Sequence, residues 1–363
     1  MASHYRSISS NGALVVLEPD ARALVDAAAK GPFVFQVGPV EGRLLLAQAQ
    51  AGAVPKPAVT IEDASVQGGL VGEISIRIIR PRHAVGAIPA IVYFHGGGWV
   101  LGDHHTHDRL TRQLADGTGA AVVFANYSRA PEERYPTAIE ESYAVLRHVA
   151  ERGSEHHLDG SRLAVAGDSA GANIAAAVTL LAKDRSIPAI TAQVLFYPIT
   201  DAAFDTPSYQ QFATGYKLRR DEMRWFWDQY VPERARRWEV TASPLRASIE
   251  QLVGLPPALL ITAEADVLRD EGEAYAAKLR LAGVPVTAVR YAAIVHDFVV
   301  LDALRNTQAA IAATAQASGY LRRALGSPPV DRPPIASWSE TFPANLQRPG
   351  VAICRPAHKQ SVY

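Results

Sequence analysis

Three groups of residues in this 363-residue chain could together make and break a covalent bond. The first is Gly167-Asp168-Ser169-Ala170-Gly171, a G-x-S-x-G between an apolar run ending at Ala166 and a small-residue, helix-forming run from Ala170. A serine on such a tight strand-to-helix turn needs small neighbours. Gly167 and Gly171 supply them, and the helix N-terminus turns its free N–H groups towards developing negative charge. The second group is His95-Gly96-Gly97-Gly98-Trp99, again directly after an apolar run. Consecutive glycines let backbone N–H groups approach an anionic oxygen without a Cβ in the way, so those of Gly97, Gly98 and Ala170 are the expected oxyanion donors. A dinucleotide loop would need G-x-G-x-x-G, and position 101 is Leu; no phosphate-binding G-x-x-x-x-G-K-[ST] occurs either.

The third group supplies a base and an acid. An activated serine needs a base, and the base needs an orienting carboxylate. In the chain order Ser, acid, His, only His296 and His358 of the 11 histidines follow Ser169. His358 lies in a proline-rich tail, whereas His296 follows an apolar run in a short loop, residues 292–297, and is chosen. The run Ala258–Thr262 leads into Glu264, Asp266 and Asp270. Asp266, just past the strand end, is taken as the acid, and Asp270 as the N-cap of a helix starting at Glu271. Asp168 reads as a loop-stabilising carboxylate, and His95 as a residue that orients its glycine loop. His104, His105 and His107 read as a polar loop at a helix start, so no metal site is expected.

The elements that must hold these groups follow from apolar periodicity. Short apolar runs at Ala90–Phe94, Ala121–Ala125, Arg162–Ala166, Ile190–Phe196, Ala258–Thr262 and Val284–Arg290 alternate with helical stretches. The helices are expected at Asp108–Gly117, Thr137–Arg152, Ala170–Asp184, Glu271–Ala282 and Thr307–Leu325. Strands apolar on both faces, alternating with helices, predict an α/β fold: a mostly parallel central sheet covered on both sides. Val59–Val66 and Glu73–Ile79 predict an antiparallel hairpin around Gly68-Gly69. Two helices, Glu18–Ala29 and Val40–Gln50, flank the Gly31-Pro32 turn. Residues 203–245, rich in tryptophan and charge, read as a helical insertion whose aromatic residues form its own core. Residues 327–363 carry Pro328, Pro329, Pro333, Pro334, Pro343, Pro349 and Pro356 without helical periodicity.

Composition narrows the function classes. The 36 basic and 36 acidic residues cancel, which gives no reason to expect nucleic acid or an acidic membrane as partner. The single cysteine, Cys354, excludes an intrachain disulfide and a Cys-based zinc site. The first twelve residues lack a signal-peptide pattern and no apolar run is long enough for a membrane span, so a cytoplasmic protein is expected. The strand at 284–290 would be a sheet edge, and a homodimer through that edge is expected.

Five strings in order carry a resemblance: His95–Gly98, Asn126–Glu132, Gly167–Asn173, Asp266–Asp270 and His296–Phe298. The chain resembles the hormone-sensitive-lipase-like α/β-hydrolases, bacterial family IV esterases of the GDSAG subgroup, over about residues 1–325. The resemblance implies cofactor-free hydrolysis of a small carboxylic ester with short to medium acyl chains. Ser169, Asp266 and His296 would be the triad, supported by His95, Gly96, Gly167, Asp168 and Gly171. It also implies a division into residues 1–50 as the N-terminal part of a cap, 51–202 and 246–326 as catalytic core, 203–245 as the cap insertion, and 327–363 as a tail. Asp297, Ala172 and Val267 depart from the family pattern, which has Gly, Gly and Pro there. A lactone or acetylated metabolite would suit the same triad. A non-catalytic receptor on this fold would lack the triad histidine.

Overall fold

A computed structural model of the protein describes residues 15–69, 72–186 and 188–327. The predicted tail, with Cys354 and His358, lies outside the described residues except for Ser327. The hairpin is formed by β1 (Val59–Gly69) and β2 (Gly72–Pro81). The remaining strands are β3 (Ile88–Phe94), β4 (Ala121–Ala125), β5 (Leu158–Asp168), β6 (Ala192–Phe196), β7 (Ala258–Ala265) and β8 (Val286–Val295). They form one eight-stranded sheet in the order β1-β2-β4-β3-β5-β6-β7-β8. The hairpin pairs antiparallel, within itself and with β4, and every other pairing is parallel.

The inner strands are runs of Val, Ile, Leu and Ala, and β3, β4 and β6 are buried along their full length. A parallel strand with helices on both faces has no solvent side, so it needs no polar alternation. The covering helices are α3 (Asp108–Thr118), α4 (Thr137–Arg152), α5 (Ala170–Asp184), α9 (Arg269–Leu281) and α10 (Gln308–Ala324). The sequence Ala-Gly-Ala-Asn-Ile-Ala-Ala-Ala of α5 presents small side chains, which let the helix sit close on the sheet; all eight are buried. Gly119 ends α3 in the left-handed conformation, and the Thr307 hydroxyl caps α10 by accepting from the Ala310 N–H.

The remaining helices are α1 (Pro19–Ala28), α2 (Val34–Ala49), α6 (Pro207–Gln211), α7 (Arg220–Tyr230) and α8 (Ile249–Leu252). Helix α2 begins six residues before the expected Val40. It is two helical pieces joined across Gly38-Pro39, with Gly38 at φ 81°, and the expected start belongs to the second piece. The last strand also differs from expectation. Val284 donates its N–H to Leu279 O in the turn closing α9, so pairing begins at Val286 and runs on to Val295. The expected loop at 292–297 is therefore mostly strand. Helix α9 begins at Arg269, which puts Asp270 inside its first turn rather than at the cap. The Asp270 carboxylate accepts instead from the Ser208 N–H (2.7 Å) and Arg269 Nε (2.8 Å). Among the described residues, no helix is long and apolar enough to cross a membrane.

Candidate active site

The sheet register brings the three reactive side chains together. Strands β7 and β8 pair as far as Ala265 opposite Val295, and the next residue on each is Asp266 and His296. Two strands away, β5 ends at Asp168, opposite Phe196 of β6, and Ser169 follows. The Ser169 N–H donates to Phe196 O (2.9 Å), fixing the serine at the sheet edge. Ser169 Oγ lies 2.9 Å from His296 Nε2, and His296 Nδ1 lies 2.7 Å from Asp266 Oδ2. The other Asp266 oxygen accepts from the Leu268 N–H (3.0 Å). All three side chains are buried. A proton on Nδ1, shared with Asp266, leaves Nε2 free to accept from the serine hydroxyl.

Ser169 has φ 52° and ψ −117°, a conformation that L residues rarely adopt. Its flanking glycines are sterically required. A Cβ on Gly171 would collide with the carbonyl oxygens of Phe94 and His95, and one on Gly167 with Gly171 O. The glycine loop after β3 is held to this turn by Asp168, which accepts from the Tyr93 hydroxyl (2.6 Å) and the Gly96 N–H (3.0 Å). Gly97 (φ 103°) and Gly98 (φ 61°) are both left-handed. Ala170 opens α5, directly behind the serine.

His95 is buried and stacks on Tyr127 with ring centroids 4.2 Å apart, and the Tyr127 hydroxyl donates to His95 O (2.6 Å). Burial, then the neighbouring His107, pushes its pKa down to about 3, so the ring is neutral and serves to shape the loop. His107 sits at the start of α3, as expected, but its side chain is buried, with Nε2 3.4 Å from Asp168. His104 is half-buried and meets Asn126 Oδ1 (3.0 Å). Glu264, a competing acid, accepts from the Ala293 N–H (2.7 Å) and is thereby engaged on β8.

His296 experiences opposing influences. Burial disfavours its charged form, but Asp266 and then Asp297 outweigh burial and hold its pKa above the ordinary histidine value. Asp297 itself is at φ 65°, with Oδ1 3.4 Å from His296 Nε2 and Oδ2 3.4 Å from Lys217 Nζ. The turn after His296 is clamped from α3. Arg109 Nε donates to Asp302 (2.6 Å), and its Nη2 to Val300 O (2.7 Å) and Val299 O (3.1 Å). Gln50, just past α2, donates to Val300 O and Thr106 O and accepts from the Asp302 N–H.

Helices α2 and α7 border the same region. Arg43 of α2 donates to Val100 O, Ala130 O and both Glu132 oxygens, gripping the chain just beyond the glycine loop. Phe226 of α7 lies against the α-carbon of Gly98, and Trp99 stacks on Tyr230 (4.4 Å) and edge-on to Trp227 (4.9 Å). Trp227 and Tyr230 are fully buried in this packing. Nothing in the sequence points to a role at the site for Lys217, Arg43, Arg109 or Gln50. Each acts on a segment distant along the chain, so no local pattern marks it.

A family profile described as alpha/beta hydrolase fold matches residues 91–300. Carboxylesterase NlhH of Mycobacterium tuberculosis is 39% identical over 277 residues, covering 74% of this chain and 84% of the relative. Ethyl acetate hydrolase of Pseudomonas putida is 37% identical over 228 residues, covering 62% and 71%. The crystal structure of a thermostable esterase from Pseudomonas putida superposes with a TM-score of 0.83 at 46% identity, covering 85% of this chain and 98% of that one. With the sheet order, the strand-end placement of Ser169, Asp266 and His296 and these similarities together, the chain belongs to the alpha/beta-hydrolase family, in the hormone-sensitive-lipase-like branch that its motif strings resemble.

Proposed function

We propose that the protein is a serine carboxylesterase acting on esters with short to medium acyl chains. The observation that carries this reading is the unbroken hydrogen-bonded line from Ser169 Oγ through His296 to Asp266 at the strand ends. His296 takes the hydroxyl proton as Oγ attacks the ester carbonyl, and Asp266 balances the imidazolium that forms. The N–H groups of Gly97, Gly98 and Ala170 receive the oxyanion, each donor contributing about 3–4 kcal/mol to the transition state. The imidazolium then protonates the departing alcohol, leaving an acyl group on Ser169. Water, deprotonated by the same His296, attacks this acyl group, and the acid departs as Oγ recovers its proton.

The names of the similar carboxylesterase and ethyl acetate hydrolase support a small ester as substrate. Residues 15–50 and 203–245 serve as the two parts of the cap, as the contacts of Arg43 and Phe226 around the glycine loop support, and residues 1–14 of the expected cap lie outside the described residues. The exposed outer residues of β8, Thr287, Ala288 and Arg290, suit a homodimer contact through that edge.

The test is Ser169→Ala. Hydrolysis of p-nitrophenyl acetate and butyrate should fall to background, and a fluorophosphonate should label the wild-type chain at Ser169 only. Residual turnover in the variant at the wild-type rate would refute the assignment.

A further inference from the structure

His296 is flanked by carboxylates at both ring nitrogens. Asp266 holds Nδ1 at 2.7 Å, as a base of this kind requires, but Asp297 Oδ1 lies 3.4 Å from Nε2, the nitrogen that must exchange protons with Ser169 and the leaving alcohol. A negative charge at that edge favours the imidazolium, and an imidazolium cannot take the serine proton. Asp297 also sits at φ 65°, a backbone conformation unfavourable for a side-chain-bearing residue, though Asp tolerates it better than most. The chain therefore carries a charge where a residue without a side chain would fit more easily.

The counterweight comes from the other side of the site. Lys217, in the loop between α6 and α7, places Nζ 3.4 Å from Asp297 Oδ2, and both side chains are partly screened from solvent, at 29% and 23% exposure. It is the only cation whose ion pair with Asp297 is formed from the 203–245 segment among the described residues. The other groups facing this line are few. The Tyr197 ring lies 4.7 Å from the imidazole, His107 from the start of α3 acts on Asp297, and Glu222 of α7 acts on Lys217. Asp266 and Asp297 push the imidazole towards protonation, and Lys217 pushes it back.

We propose that Lys217 and Asp297 are a positioning pair that tunes His296 from the insertion side, with Lys217 offsetting part of the charge that Asp297 places at the Nε2 edge. The same ion pair joins the loop that holds Lys217 to the turn after His296. The inference rests on His296 being the general base.

The experiment is the pH dependence of kcat/KM with a neutral p-nitrophenyl ester, in the full chain. Asp297→Asn should move the acid limb down by about one pH unit, and Lys217→Met should move it up by a similar amount. Asp297→Gly should match Asp297→Asn while relieving the backbone, which guards against a folding artefact. Lys217→Arg, which keeps the charge, should leave the limb where it is, and Lys217→Met with Asp297→Asn should bring it between the two single variants. An acid limb that stays put in both single variants, or moves the same way in both, would overturn the proposal. Failure of the base assignment itself would appear separately, as activity that survives His296→Ala or as a wild-type profile with no acid limb.

Discussion

The two halves of the site are built by different means. The nucleophile half, comprising the glycine loop after β3 and the turn after β5, is held by backbone pressed against backbone. A Cβ on Gly171 meets the carbonyl oxygens of Phe94 and His95, and a Cβ on Gly96 meets Asp168. The base half, comprising the ends of β7 and β8 and the turn beyond His296, is held by charge. Asp266, Asp297, Lys217, Arg109 and Asp302 fix it through ion pairs formed between distant segments. Close packing leaves the first half no alternative conformation. Charge lets the second half change its proton affinity without moving.

This contrast can be broken at its strongest point first. Gly171→Ala should prevent recovery of folded enzyme or lower stability by at least about 3 kcal/mol, because the collision is with main-chain atoms that cannot rotate away. Denaturant unfolding measures this, and a variant of normal stability would show that the nucleophile half is looser than described. Asp266→Asn should leave the fold intact yet lower kcat on the order of 10³–10⁴-fold, since the amide no longer fixes the imidazole tautomer or balances its charge. Circular dichroism together with steady-state kinetics separates the two outcomes.

Two further effects sharpen the same comparison. Arg109→Met strands the buried Asp302 carboxylate and should cost about 3–5 kcal/mol of stability, read from denaturant midpoints. If kcat is unchanged in that variant, the His296 turn is held by Gln50 and the strand register instead. The wild-type acid limb should lie above the ordinary histidine value. The folded-state pKa of His296 is raised, so the neutral, active base is lost as pH falls through that raised value. For stability the sign is opposite to a depressed group: the raised pKa contributes fully below the unfolded value and is lost as pH rises through the folded one. A pH–rate profile measures the first, and urea unfolding across the same range the second.

The nucleophile half was largely legible in the chain. Gly167–Gly171 and His95–Gly98 are continuous strings, and close backbone approach admits only glycine, so the residue type itself records the geometry. Asp266 and His296 could be placed by chain order, yet their immediate surroundings could not. The expected loop before His296 is strand, and Asp270, expected to cap α9, instead holds Ser208. Such details depend on how β7 and β8 register, which apolar alternation leaves free by several residues at each end.

What the sequence by itself determined is the fold class, the motif order and which side chains meet at Ser169, because these rest on local periodicity, on chain order or on a glycine with a steric reason. Tertiary structure alone decided which charges meet. Lys217 and Asp297 are separated by the whole of α7, α8, β7, α9 and β8, as Arg109 and Asp302 are by strands β4 to β8. An ion pair has no preferred sequence separation, since Coulomb attraction depends on distance in space. Only the folded chain, by bringing a lysine from between α6 and α7 over the end of β8, could place a cation beside the carboxylate at His296.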